Sequence, residues 1–123
     1  IMSDPTQSIE SIEEAYEYML AYAAQGRAQE GVGPEGTSIR TFIDNFIAGN
    51  KALASFVDDE ASIPKALKDE FIASSSFISG VLDALKGRDN ISSELVDNAN
   101  ALIGTRHYLT MMFFIDKAFI NKA

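Results

Sequence analysis

Cysteine is absent from this 123-residue chain, histidine occurs once, and bases are scarce beside acids, ten against eighteen. Without Cys there is no disulfide, no thiolate zinc site, no Cys-ligated iron–sulfur cluster and no c-type haem attachment. The one histidine, His107, has Gly104 three residues before it. That excludes the Glu-x-x-His pairs with which ferritin-like bundles hold two metal ions. The net charge of −8 leaves nothing to neutralise a phosphate backbone or an anionic lipid surface, so neither a nucleic acid nor a membrane is expected as partner. Strand-like alternation of useful length is missing, and so is an internal repeat. The longest apolar cluster, Tyr108 to Ile120, is interrupted by Thr110, Asp116 and Lys117 and is too short to span a bilayer. No basic stretch precedes an apolar one near the start, so no secretion signal is expected. Met2 reads as a natural start, with Ile1 a remnant of cloning. With the missing thiols, this suits a soluble, cytoplasmic protein.

Helical periodicity dominates what is present. A hydrophobic fraction of 46% over this length is enough for one domain, residues 1–123, with its own core. The first helix is predicted from Ser8 or Ser11 to about Gln29. Ser11 and Glu14 form a capping box, and Ile12, Tyr16, Met19 and Ala23 form the apolar stripe. Residues 30–37, with three Gly and one Pro, read as a flexible connector and lack the Lys-Ser/Thr pair of a phosphate-binding loop. A second helix starts at Thr37 or Ser38, with the seam Ile39, Phe42, Phe46, Gly49, Leu53 and Phe56, and should end near Asp58-Asp59-Glu60. The third opens at Ser62-Ile63-Pro64, runs along Leu67, Phe71, Ser74, Ile78, Val81 and Leu85, and closes at Lys86-Gly87, with Gly87 as a left-handed cap. The fourth begins at Ser92 or Ser93 and continues through Gly104 to about Asn121. Four such segments with short connections predict an all-α, antiparallel up-down-up-down four-helix bundle with a long C-terminal helix.

Charge is uneven along that frame. Residues 1–36 carry seven acids against one base, a net −6, so electrostatic steering towards a basic partner would come from the first helix and the connector. Glu10, Glu13, Glu14 and Glu17 read as a solvated face rather than an acid–base pair. Asp58-Asp59-Glu60 lacks the spacing of a calcium loop. A nucleophile beside a base, or a Gly-x-Ser-x-Gly turn, is not found. The Tyr108-Leu109-Thr110-Met111 stretch after His107 lacks the Lys and Gly of histidine phosphotransfer domains.

Two constellations remain. In an antiparallel bundle the helix midpoints share a layer, here near Met19, Gly49, Ser74 and Arg106–His107. Small residues (Gly49, Ser74) opposite large polar ones (Arg106, His107) leave room for a polar pocket, with Tyr16, Tyr22, Asp44 and Glu17 within a turn. The bland reading is close approach of the second and third helices at Gly49 and Ser74, with Arg106 and His107 reaching solvent. Met19 and His107 would also suit the axial pair of a bundle-held haem, although no cofactor is the first expectation. The second constellation is the C-terminal helix, where Tyr108, Met111, Met112, Phe114, Ile115 and Phe119 cover more than one face. The expectation is a homodimer through that helix, with cover by residues 1–10 or a protein partner as alternatives. The function expected is therefore a non-enzymatic binding or adaptor protein. The alternative is a small-ligand or cofactor-binding bundle built around Arg106 and His107.

Overall fold

Asp4, not Ser8 or Ser11, opens the first helix. In the computed structural model, which describes residues 4–31 and 38–123, the Asp4 side chain accepts from the Thr6 amide at 3.0 Å and Pro5 takes the first helical position. A proline there loses no hydrogen bond and comes with its φ preset. Helix α1 (Pro5–Ala23) stops six residues before the expected Gln29, and Gly26 turns the chain at φ 64°. Helix α2 (Ile39–Asp59) is capped by Ser38, whose hydroxyl oxygen accepts from the Thr41 amide, and ends at the acidic run as expected. The Thr37 cap and the connector's 32–37 stretch lie outside the described residues. Helix α3 (Lys65–Lys86) follows Pro64 directly, and Gly87 after it is right-handed, at φ −73°, rather than the left-handed cap expected.

The long C-terminal helix is the main correction. After the Ser92 cap, α4 (Ser93–Ala101) ends at Leu102, whose ψ of 133° takes the backbone out of the helix, and α5 (Ile103–Ile115) starts afresh. A π-helical segment, Asp116–Ile120, finishes the chain's helical structure. Among the described residues the protein is thus all-helical, with five α-helices and no strand. No described helix is long and apolar enough to cross a membrane.

Helix α1 packs on α2 and α4, α2 on α3, and α3 on α5, while the π-helical segment returns to α1. Each main helix therefore meets at least two neighbours, which widens its buried stripe beyond a two-stranded seam. On α2 the buried positions are Ile39, Ile43, Phe46, Gly49, Asn50, Leu53 and Val57. Phe42 and Phe56, expected in the seam, are only partly buried. Gly49 admits α1 rather than α3: a Cβ there would stand 2.9 Å from Ile12 Cγ1 and 3.1 Å from the Ser8 carbonyl. Between α2 and α3 the register is held by Asn50, 1% exposed. Its amide donates to the Ser75 carbonyl (3.1 Å) and Ser79 Oγ (2.9 Å), and its oxygen accepts from Ser75 Oγ (2.8 Å). A buried amide with three partners in place tolerates no slip of one helix along the other.

At one end the connectors are tied together. Arg40 makes a paired contact with Glu30 (2.7 and 3.0 Å) and also donates to the carbonyls of Lys86, the last residue of α3, and Arg88 just after it. Glu30 accepts from the Ile91 amide, Asn90 Nδ2 donates to the Ala28 carbonyl, and Ser93 Oγ donates to the Tyr22 carbonyl. The cation thus satisfies carbonyls that the end of α3 leaves unpaired. The stretch from Ala24 to Glu30 is in this way fastened, while of the connector expected over residues 30–37 only Glu30 and Gly31 are described.

Candidate binding surface

The α4–α5 junction decides what the molecule shows to its surroundings. Nothing at Leu102 itself forbids a helix; the break is held by its neighbours. Thr105 Oγ1 donates to the Ala99 carbonyl at 2.9 Å, replacing a bond that α4 loses on ending. Buried Asn100 donates to the Met19 carbonyl of α1 at 3.2 Å. Gly104 then lets α5 pass under Phe77 of α3, because a Cβ at Gly104 would overlap the Phe77 ring. The consequence is a step in the surface. Ile103 is 85% exposed, and Leu102 and Phe77 are each nearly half exposed.

Beside the step lies a groove of about 430 Å³ between α3 and α4. Val81, Ala84 and Leu85 form one wall, Leu95, Ala99 and Leu102 the other, and Arg88 and Asn98 stand at its edge. Groove and step together form a continuous apolar surface. Burying a fully exposed Ile, Leu or Phe is worth roughly 1.5–3 kcal/mol, of which Ile103 forgoes most and the half-buried Leu102 and Phe77 a lesser share, and such patches are commonly functional.

The polar layer expected at mid-bundle is not assembled. Arg106 is exposed, and His107 points outward to Glu70 of α3 at 3.0 Å. Met19 is in the core, so Met19 and His107 do not flank a common space for haem. Asp44 is exposed and paired with Lys86 at 2.5 Å. Tyr16 packs partly buried against the core, and Ser74 is buried on α3. Tyr22 donates its hydroxyl to the Ile91 carbonyl at 2.6 Å, not into the layer. Gly49 instead borders a shallow cleft with Asp4, Glu10 and Glu14. No group of three acidic or histidine side chains able to hold a metal occurs among the described residues.

Nor does the C-terminal helix present the face expected of it. Tyr108, Met111, Met112 and Ile115 belong to the core, and Phe119 packs against it. Of the six residues expected at the interface only Phe114 is exposed, at 59%, next to Phe113. The break explains this: α5 turns its Met and Tyr side chains onto the other helices, and the π-helical segment is drawn to α1, where Asn121 Nδ2 donates to Thr6 Oγ1 at 3.0 Å. Phe77, Leu102 and Ile103 were not singled out in the sequence. The available signals were Phe77 lying off the α3 seam and the Leu-Ile-Gly run inside a nominally continuous helix.

Carboxyl chemistry is modest. Burial, then Glu17, Asp116 and Glu10, raise the Glu13 carboxyl above its usual range, whereas the Arg40 hydrogen bond lowers that of Glu30. Comparison of the chain with protein-family models, with curated proteins and with solved structures gives no match.

Proposed function

We propose that the protein is a non-enzymatic binding or adaptor module that works through the apolar surface made by Phe77, Leu102, Ile103 and the adjoining groove. The carrying observation is Ile103, 85% exposed at the first turn of an ordered helix. We read the helices as an antiparallel four-helix arrangement in which α4 and α5 together occupy the fourth place. The missing cysteines fit a cytoplasmic setting. Exposed Glu10, Glu14 and Glu17 on α1 add a separate acidic face that favours a basic stretch on a partner. A small-ligand protein built on Arg106 and His107 is the weaker reading, because both side chains lie outside the helical core. A photo-crosslinking side chain placed at Ile103 in cells tests the first reading, with the same group at buried Ile43 as control. Discrete protein adducts at Ile103, absent from the control, are expected. Adducts no stronger than the control's would overturn it.

A further inference from the structure

Resting on the reading that this surface binds, we propose that its groove takes a free carboxylate with an unbranched alkyl chain, leaving the Phe77–Ile103 step to a protein partner. One cation fixes the charge of the ligand. Arg27 bonds Gln25 and Arg40 bonds Glu30, whereas the Arg88 guanidinium, at the edge of the groove, makes no hydrogen bond or ion pair among the described residues. The Arg88 backbone is nonetheless fixed. Its amide donates to the Leu85 carbonyl at 3.1 Å, and its carbonyl accepts from Arg40. In a chain with eighteen acids against ten bases, no acid lines this groove. The charge is thus held where an anion from outside would meet it. Asn98, exposed on the same edge, adds a carboxamide N–H that can donate to that anion.

A guanidinium suits one carboxylate, whose two oxygens accept its paired N–H groups. A dianionic phosphate would bring a second charge with no cation to meet it, on a protein of net charge −8. The walls fix the rest of the ligand. Val81, Ala84, Leu85, Leu95, Ala99 and Leu102 are all aliphatic. No ring face is there for stacking, so a flexible chain fits better than an aromatic acid. Val81, Ala84 and Leu85 follow one another along the last turns of α3, and Arg88 comes just past its end. The groove is therefore charged at one end and apolar at the other, over on the order of 10 Å of helix rise. Its volume of about 430 Å³ falls within the roughly 300–1,000 Å³ of small-molecule sites. Leu102, where α4 ends, completes the apolar wall, so the helix break shapes the groove as well as the step.

Titration of the isotope-labelled full chain with decanoate, kept below the concentration at which it forms micelles and followed by NMR, tests this. Saturable shifts are expected at Val81, Leu95, Asn98 and Ala99, and none at the exposed Phe113 and Phe114. Decanol, with the same chain and no charge, should bind at least about tenfold more weakly. Arg88→Gln, at an exposed side chain, should keep its helicity by circular dichroism and lose the preference for decanoate over decanol. Ala84→Trp, which fills the groove from an exposed position, should abolish binding of both. Shifts that never saturate, or that spread to Phe113 and Phe114, would overturn the proposal. So would decanol binding as tightly as decanoate, or an Arg88→Gln variant with its preference intact. The Ile103 crosslink reads the protein-binding role separately. Protein adducts at Ile103 without decanoate binding would overturn the carboxylate and leave that role standing, and saturable decanoate binding without adducts would support the groove and remove the protein partner.

Discussion

Two buried tyrosines show how the same residue type takes opposite roles. Tyr22 donates to the Ile91 carbonyl at 2.6 Å, whereas the Tyr108 hydroxyl, equally buried, has no partner among the described residues. The Tyr108 ring lies near Phe46 and Phe71, with centroids 6.1 and 5.4 Å away, and burial raises the pKa of its phenol. An unpaired buried hydroxyl forgoes about 1–3 kcal/mol of hydration. Tyr108→Phe should therefore stabilise the protein, by about 1 kcal/mol in urea unfolding. Tyr22→Phe should destabilise it by about 1–2 kcal/mol, since it strands the Ile91 carbonyl. Equal effects in the two variants would show that Tyr108 has a hydrogen-bond partner after all. Neither role was legible in the sequence, where no residue next to either tyrosine marks its surroundings and the partner of one lies 69 residues away.

Among the elements, α2 and α3 were the most legible. Their lengths and much of their buried stripes follow from local spacing, and Ser38 caps α2 as expected, whereas α3 starts after Pro64 rather than at a Ser62 or Ile63 cap and Gly87 is right-handed. The fourth segment was not. Its break needs Asn100 to reach Met19 of α1 and Gly104 to pass Phe77 of α3, and neither contact leaves a mark at Leu102. Glycine makes the difference between local and tertiary causes measurable. Gly80→Ala should raise the protein's stability by about 1 kcal/mol, since a Cβ there would meet nothing within 4 Å and only helix propensity changes. Gly104→Ala gains the same propensity but drives a methyl into the Phe77 ring, a kind of overpacking that costs about 1–3 kcal/mol, so its net effect should be destabilising. Thermal melts decide between these signs. Stabilisation by both alanines would mean that Phe77 is free to move aside, and that the step at Ile103 is softer than the packing implies.

At the scale of the whole molecule, acidity and stability meet at two carboxyl groups on different elements. Glu30 ties the α1–α2 connector to Arg40 and to the Ile91 amide, and those hydrogen bonds depress its carboxyl below the ordinary 4.5. A depressed folded value means stabilisation that is fully present above the unfolded value and is lost as pH falls through the folded one. Glu13 behaves oppositely. Burial and the charges of Glu17, Asp116 and Glu10 raise its carboxyl, so its ionised form costs stability at neutral pH and protonation relieves that cost as pH falls. Acidification from about pH 7 should thus first raise the melting temperature slightly, as Glu13 takes its proton, and then lower it below the ordinary carboxylate range of about 4. Glu13→Gln should flatten the first limb and leave the second. Glu30→Gln should lower stability at neutral pH and shrink the acid-side fall, because the ion pair with Arg40 is already gone. Melts of the three proteins between about pH 3 and pH 8 read both limbs at once. An acid limb unchanged in Glu30→Gln would place the acid sensitivity elsewhere, and would mean that the Arg40 contact does not hold the two connectors together.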